Sequence, residues 1–231
     1  MKLSIVIPFY NEENMIQKMY DALVAEVNKI TKAEFEIIFI NDGSKDRTFE
    51  KMLAIADSDS RVKYISFSRN FGKEAGTIAG LEYATGEAVI LMDGDLQHPP
   101  ALLPQMIEAY EEGYDVVSAR RTRTGEKPHR TFLAKHFYRL ANKMMDIELM
   151  DGVSEFRLFS RKAVRAILSL QEYNRFSKGI FSWIGFKEKV IEYENQVRTV
   201  GETKYSLKFS LNYAIQGILS FNDKPLRMCI N

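Results

Sequence analysis

The apolar run Ala88-Val-Ile-Leu-Met92 ends abruptly in Asp93-Gly94-Asp95, and Leu96-Gln97-His98-Pro99-Pro100 follows. Two carboxylates one residue apart, on the turn leaving a strand, can both approach one hard cation, with Gly94 letting the backbone fold tightly between them. A divalent ion held this way would clamp the diphosphate of a nucleotide. The same residues also read as an ordinary Asp-Gly turn, which is common. The pair alone does not decide between these readings, so the elements that position it have to.

Those elements are regular. Short apolar runs at residues 3–8, 35–41, 62–68, 88–92 and 115–119 read as buried strands, and helical patterns lie between them at 13–30, 47–57, 74–85 and 101–112. In the first helix Met15, Ile16, Met19, Leu23 and Val27 recur at helical spacing and mark a buried stripe. Such alternation predicts an α/β fold, a mostly parallel sheet with helices on both faces. Beyond residue 119 a strand is expected at 156–160, a helix at 162–170 and another strand at 190–197. A helical stripe at 206–221 carries Leu207, Leu211, Ala214, Ile215, Ile218 and Leu219.

Open α/β sheets bind ligands beyond the carboxyl ends of their strands, and here four successive strand ends are polar. The first reads Pro8-Phe9-Tyr10-Asn11-Glu12-Glu13. It lacks Gly-x-Gly-x-x-Gly, which argues against a dehydrogenase, but offers a ring and a carboxylate to a nucleobase. Asn11 also reads as a helix cap, with Glu12 and Glu13 at the positive end of the helix. The second end, Asn41-Asp42-Gly43-Ser44, places Asp42 to accept hydrogen bonds from a base or ribose, while Ser44 or Asp46 caps the next helix. The third, Ser68-Arg69-Asn70-Phe71-Gly72-Lys73, is a cationic loop opening a helix and suits phosphate. Asp93 and Asp95 stand on the fourth.

Composition narrows the classes. A chain of 231 residues with 45% apolar and 27% charged residues forms a full folded core. A net charge of +1 offers no global attraction to nucleic acid, which is not expected as a partner. Cys229 is the single cysteine, so no internal disulfide forms. No signal-peptide pattern opens the chain, and no apolar run reaches the ~18 to 20 residues that span a bilayer. His98 and His129 have no companion at zinc-ligand spacing. From Arg120 to Lys143, basic residues interleave with Phe132, Phe137 and Tyr138, and only Glu126 interrupts them. This reads as a solvated face or, better, as a surface docking on anionic headgroups. Trp183, Phe181 and Phe186 read as either core or membrane contact.

Several spaced motifs resemble one family: Val6-Ile-Pro-Phe-Tyr-Asn-Glu-Glu13, Asn41-Asp-Gly-Ser44, Asp93-Gly-Asp-Leu-Gln-His-Pro-Pro100 and Phe156-Arg157-Leu158. Arg175-Phe-Ser-Lys-Gly179, Trp183-Ile-Gly-Phe186, the Arg198 to Tyr205 segment and Pro225-Leu-Arg227 extend the likeness over nearly the whole chain. They are similar to the inverting GT-A glycosyltransferases and, more narrowly, to polyprenyl-phosphate glycosyltransferases related to dolichyl-phosphate mannose synthase.

That resemblance implies a GT-A catalytic domain over 1–200, with an acceptor- and membrane-facing segment at 120–145. It also implies an amphipathic, membrane-proximal appendage at 201–231 leading into transmembrane helices. Pro8, Tyr10, Glu12 and Asp42 would line the nucleoside pocket, with Arg69 and Lys73 also on the donor. Asp93 and Asp95 would hold Mg²⁺ or Mn²⁺, and Gln97 would lie near the sugar. Arg198, Thr203 and Lys204 would close over the donor, and Arg120 and Arg123 would bind the acceptor phosphate. Glu155 and Arg157 join Asp95 as the catalytic group. Bacterial relatives often carry Asp, taken as the base, where Glu155 stands. A phosphate acceptor with its second pKa near ~6 is already largely ionised, so Glu155 is expected to assist rather than to be indispensable.

The expected reaction moves glucose or an N-acetylglucosamine-like sugar from a UDP-linked donor to polyprenyl phosphate, with inversion, at the cytoplasmic face of the cell membrane. A homo-oligomer is compatible with the chain. The alternatives are a GT-A transferase with a soluble or polysaccharide acceptor, and a non-catalytic nucleotide-sugar-binding protein.

Overall fold

The computed structural model describes residues 1–122, 142, 150, 152–172 and 175–194. The basic stretch from Arg123, the Arg198 to Lys204 segment and the 206–221 stripe therefore lie outside the described residues. The seven strands are β1 (Lys2–Phe9), β2 (Glu34–Asn41), β3 (Val62–Ser66), β4 (Ala88–Leu91), β5 (Val116–Arg121), β6 (Val153–Ser160) and β7 (Glu188–Tyr193). They form one sheet in the order β3-β2-β1-β4-β6-β5-β7. All neighbours are parallel except at β6, which runs antiparallel to both β4 and β5. The mostly parallel sheet expected from the alternating pattern is present. Reversal of β6 brings its first residues to the edge where β1 to β4 end.

Both faces are covered, which is why the strands are apolar without alternation. On one face Leu3, Ile5, Ile7 and Phe9 pack with α1 (Ile16–Val27), α2 (Thr48–Ser58) and α4 (Leu103–Glu111). Val6, Ile38, Ile40, Val89 and Leu91 face the other way. They meet α3 (Lys73–Tyr83), α5 (Arg161–Ser169) and α6 (Ser177–Trp183). The stripe Met15, Ile16, Met19, Leu23, Val27 is buried throughout. No helix among the described residues is long and apolar enough to cross a membrane.

Several boundaries differ from the pattern reading. α1 begins at Ile16 and has no side-chain cap. Asn11 instead accepts the Lys45 N–H at 2.8 Å, while the amides of Asn11, Glu12 and Glu13 donate to Ser44, Thr48 and Asp46. The first loop is thus stitched to the second rather than wound into the helix. Asp46, not Ser44, meets the first residue of α2, accepting both the amide and the hydroxyl of Thr48. β6 starts three residues early because Val153 pairs with Arg120. α6 has too few residues to show a period and was not expected. Phe181 is core, whereas Trp183 is 58% exposed.

Candidate active site

Loops from β1 to β4 converge on the sheet's carboxyl edge, and the stitching between them is dense. Gly43 has φ +65°, and a Cβ there would overlap the Arg69 backbone, so only glycine lets the β2 and β3 loops touch. Asp42 is 3% exposed. Its carboxylate accepts the Phe71 and Gly72 amides at 2.7 and 3.0 Å and the Asn70 side chain at 2.9 Å. Asp42 therefore shapes the cationic loop from beneath, with most of its acceptor capacity already used. Arg69 lies 4.0 Å over the Phe71 ring at the surface of that loop. Pro8 packs under α3 at Gly76, and Tyr10 and Glu12 are half-buried at the β1 end.

The β4 loop turns through Leu96 (φ 58°), so the left-handed residue is Leu96 rather than Gly94. Gly94 is needed for a different reason: a Cβ there would overlap the Phe9 ring. Asp95 accepts the Gln97 N–H at 3.1 Å, which sets the turn. His98 is buried, stacks on Phe156 with ring centres 5.5 Å apart, and accepts the Asp93 N–H through Nδ1 at 3.4 Å. Burial pushes the imidazole pKa down, in keeping with a neutral ring that supports the Asp93 backbone.

The centre of the edge is an ion cluster. Lys73, at the start of α3, pairs with Asp93 and with Glu155 Oε2, the latter at 2.6 Å. Burial opposes the ammonium charge, but Asp93 and Glu155 outweigh it and push the Lys73 pKa well above its usual value. Burial alone would also raise the Asp93 carboxyl. Lys73 reverses this and, with smaller help that includes Lys178, holds it at about 2. A lysine expected on phosphate is thus bound to the carboxylates of β4 and β6.

Arg157, expected among the reacting groups, is 3% exposed. It lies 5.2 Å over Phe181 and 3.5 Å from Glu188, and Nη1 has no hydrogen-bond partner among the described residues. Burial lowers its pKa. It lies beneath the edge, packed against Phe181 rather than open to solvent. Arg120 pairs with Glu192 across β5 and β7. Arg123, Arg198 and Lys204 lie outside the described residues. Arg175 donates to the Leu170 and Ile167 carbonyls and so ties the entry to α6 against the end of α5.

The residues fit a hard divalent cation. Asp93 and Asp95 are oxygen donors, and the Lys73 ammonium already stands against Asp93 as a cation. No group of three or more His, Cys, Asp or Glu forms a closed cage among the described residues. A cation held by Asp93 and Asp95 would need substrate phosphates and water to complete its shell.

The chain is similar to known proteins. The family model described as "Glycosyl transferase family 2" matches residues 4–168. The putative glycosyltransferase CsbB of Bacillus subtilis is 51% identical over 98% of this chain and 69% of its own length. The prophage bactoprenol glucosyl transferase homolog of Escherichia coli is 43% identical over 99% of this chain and 74% of its own. Among solved structures, a mannosyltransferase from Pyrobaculum calidifontis, in complex with GDP-Man and Mn²⁺, superposes with a TM-score of 0.60. It does so at 18% identity, over 82% of this chain and 54% of its own. Glucosyl-3-phosphoglycerate synthase from Mycobacterium tuberculosis, with Mn²⁺ and UDP-glucose, gives 0.58 at 19% identity over 94% and 76%. These two likenesses bear on the fold, which is that of GT-A enzymes. With a family model over most of its length and close relatives along nearly all of it, this chain belongs to glycosyl transferase family 2.

Proposed function

We propose that the protein transfers a glucosyl unit from a UDP-linked donor to the phosphate of a polyprenyl phosphate, with inversion at the anomeric carbon. The single observation that carries this is the Asp93–Lys73–Glu155 cluster at the edge where four strand ends meet. It is a charged, preorganised centre placed where an α/β sheet binds its ligand. The relatives named as bactoprenol glucosyl transferases support glucose and a polyprenyl acceptor.

Asp93 and Asp95 would hold Mg²⁺ or Mn²⁺, which when bound supplies Lewis-acid stabilisation to the departing diphosphate. Tyr10, Glu12 and the loop shaped by Asp42 take the nucleoside side, and Arg69 the phosphates. Gln97 lies beside the sugar. Arg157 is a positioning residue, buried against Phe181 on the strand that carries Glu155. Arg120, Arg123, Arg198 and Lys204 remain assigned to acceptor and donor as the family likeness implies. We place the reaction at the cytoplasmic face of the membrane, with residues 1–200 as the catalytic unit, 120–145 against the headgroups and 201–231 leading toward the bilayer.

The test is a thermal-shift panel of nucleotide sugars with and without Mn²⁺, followed by transfer to undecaprenyl phosphate or to soluble acceptors. UDP-glucose with Mn²⁺ at 100 times its Kd should add about 2.7 kcal/mol of stability, and radiolabelled glucose should pass only to the lipid phosphate. Transfer to a soluble acceptor in lipid-free enzyme would overturn the acceptor assignment.

Glu155 should not behave as an obligate base. An ionised phosphate needs alignment and charge balance more than deprotonation, and Glu155 is already engaged with Lys73. Glu155→Gln is expected to lower kcat by about tenfold or less, a smaller effect than the 10²–10⁴ of general-base catalysis. A thousandfold loss with donor and lipid affinities intact would make Glu155 the base.

A further inference from the structure

The carboxyl edge carries a cation that the family motifs did not assign. α6 begins with Ser177, whose amide donates to Glu74 Oε1 at 3.2 Å and whose hydroxyl donates to Oε2. Glu74 follows Lys73 in the first turn of α3. One carboxylate–serine joint therefore fixes the two helix starts together, and Lys73 and Lys178 each stand one residue from it. Phe181, one turn further along α6, packs on Phe159 of β6 with ring centres 4.8 Å apart and lies under Arg157. Lys178 thus stands at the helix start that is joined to the start of α3, where Lys73 meets Asp93 and Glu155, while the donor loops belong to β1, β2 and β3.

The other cations of this edge are engaged. Lys73 is shared by Asp93 and Glu155, Arg120 is paired with Glu192, Arg157 is buried and Arg69 lies over Phe71. Lys178 is half-buried and has no carboxylate within ion-pair distance among the described residues. Its charge nevertheless reaches Asp93. A dianionic phosphate moving toward this edge meets the like charges of Asp93, Asp95 and Glu155, which repel it. Arg120 has to leave Glu192 to meet it, so a cation that is not already paired is the readier contact.

We propose that Lys178 binds the acceptor's phosphate and guides it past Glu155 to the sugar. This rests on the proposed transfer to a lipid phosphate and names a residue of its acceptor subsite. A Lys is suited to the task as a flexible point charge that can follow a moving phosphate oxygen.

The experiment pairs turnover with binding. In full-length enzyme, Lys178→Gln should raise the KM for undecaprenyl phosphate at least tenfold, leave the Kd for UDP-glucose within twofold, and leave Tm unchanged. Lys178→Arg should recover most of the loss. Farnesyl phosphate, titrated without donor, should bind wild type and bind Lys178→Gln at least tenfold more weakly. An unchanged lipid KM, or a raised donor Kd in its place, would overturn the assignment. If farnesyl phosphate binding depends on Lys178 but no glucose reaches the lipid, the proposed function fails while the phosphate site stands. If glucose transfer by Lys178→Gln equals wild type, the site fails and the function stands.

Discussion

Asp95→Asn is expected to lower the rate of glucosyl transfer by about 10²- to 10³-fold, the usual loss when one preorganised electrostatic contact to developing charge is removed. Asp95 is the better of the two aspartates to test. Asp93 is tied to Lys73 and lies close to His98, so changing it would also release the ammonium that Glu155 shares. Asp95 accepts the Gln97 amide, and an asparagine carbonyl in the same place can still accept it. The substitution therefore removes charge with little change in shape. Two readouts should agree: loss of transfer at saturating Mn²⁺, and weaker Mn²⁺ binding in the presence of UDP, followed by the Mn²⁺ resonance signal. Tm without ligand should stay within about 2 °C, as expected of a change worth under ~0.5 kcal/mol. Near-normal transfer would remove Asp95 from the metal site.

The position of that site was legible because it depends on strand ends. Continuous apolar runs identified β1 to β4, and their parallel order follows from the helices between them. Four polar loops then had to share one edge. Pairing across that edge was not legible. Lys73 stands on the loop after β3, which suggested phosphate, but reversal of β6 brings Glu155 opposite Asp93 and the lysine falls between two carboxylates. Asp42 looked free for a ribose, yet the amides of residues 71 and 72 fold back onto it. Arg157 follows Glu155 by two residues, so both face the same side of β6, but Phe181 covers the deeper one. α6, seven residues long, is too short to register as a helical period, so the motif Arg175-Phe-Ser-Lys-Gly179 does not by itself mark Lys178 as standing at a helix start. In each case the missing information was a contact between residues far apart in sequence.

At the opposite edge of the sheet, stability rests on a buried carboxylate. Glu36 of β2 accepts the Ser4 hydroxyl at 2.5 Å, the Thr85 amide at 2.5 Å and the Lys63 ammonium at 2.9 Å, with Lys2 at 3.4 Å. It thereby joins β1, β2, β3 and the chain leaving α3. Burial alone would raise its pKa, but Lys63, Ser4 and Thr85 more than reverse that and bring it from 4.5 to about 2. A carboxyl depressed in the folded state stabilises the fold fully above its unfolded pKa, and that contribution is lost as pH falls through the folded pKa. The shift of 4.5 − 2 corresponds to about 3 kcal/mol. Lys2 and Lys63 are 42% and 55% exposed, so solvent screens part of it. Glu36→Gln places an amide donor opposite those ammoniums and is expected to cost about 2 kcal/mol at pH 7. For a chain of this size that is a fall in Tm of roughly 4–8 °C. The gap between wild type and variant should be constant from pH 7 to about 5, narrow between about 4.5 and 2, and nearly close at the acid end. Calorimetry or circular dichroism across that series measures it. A gap that stayed level through the acid range would mean that the Glu36 charge contributes nothing to the fold.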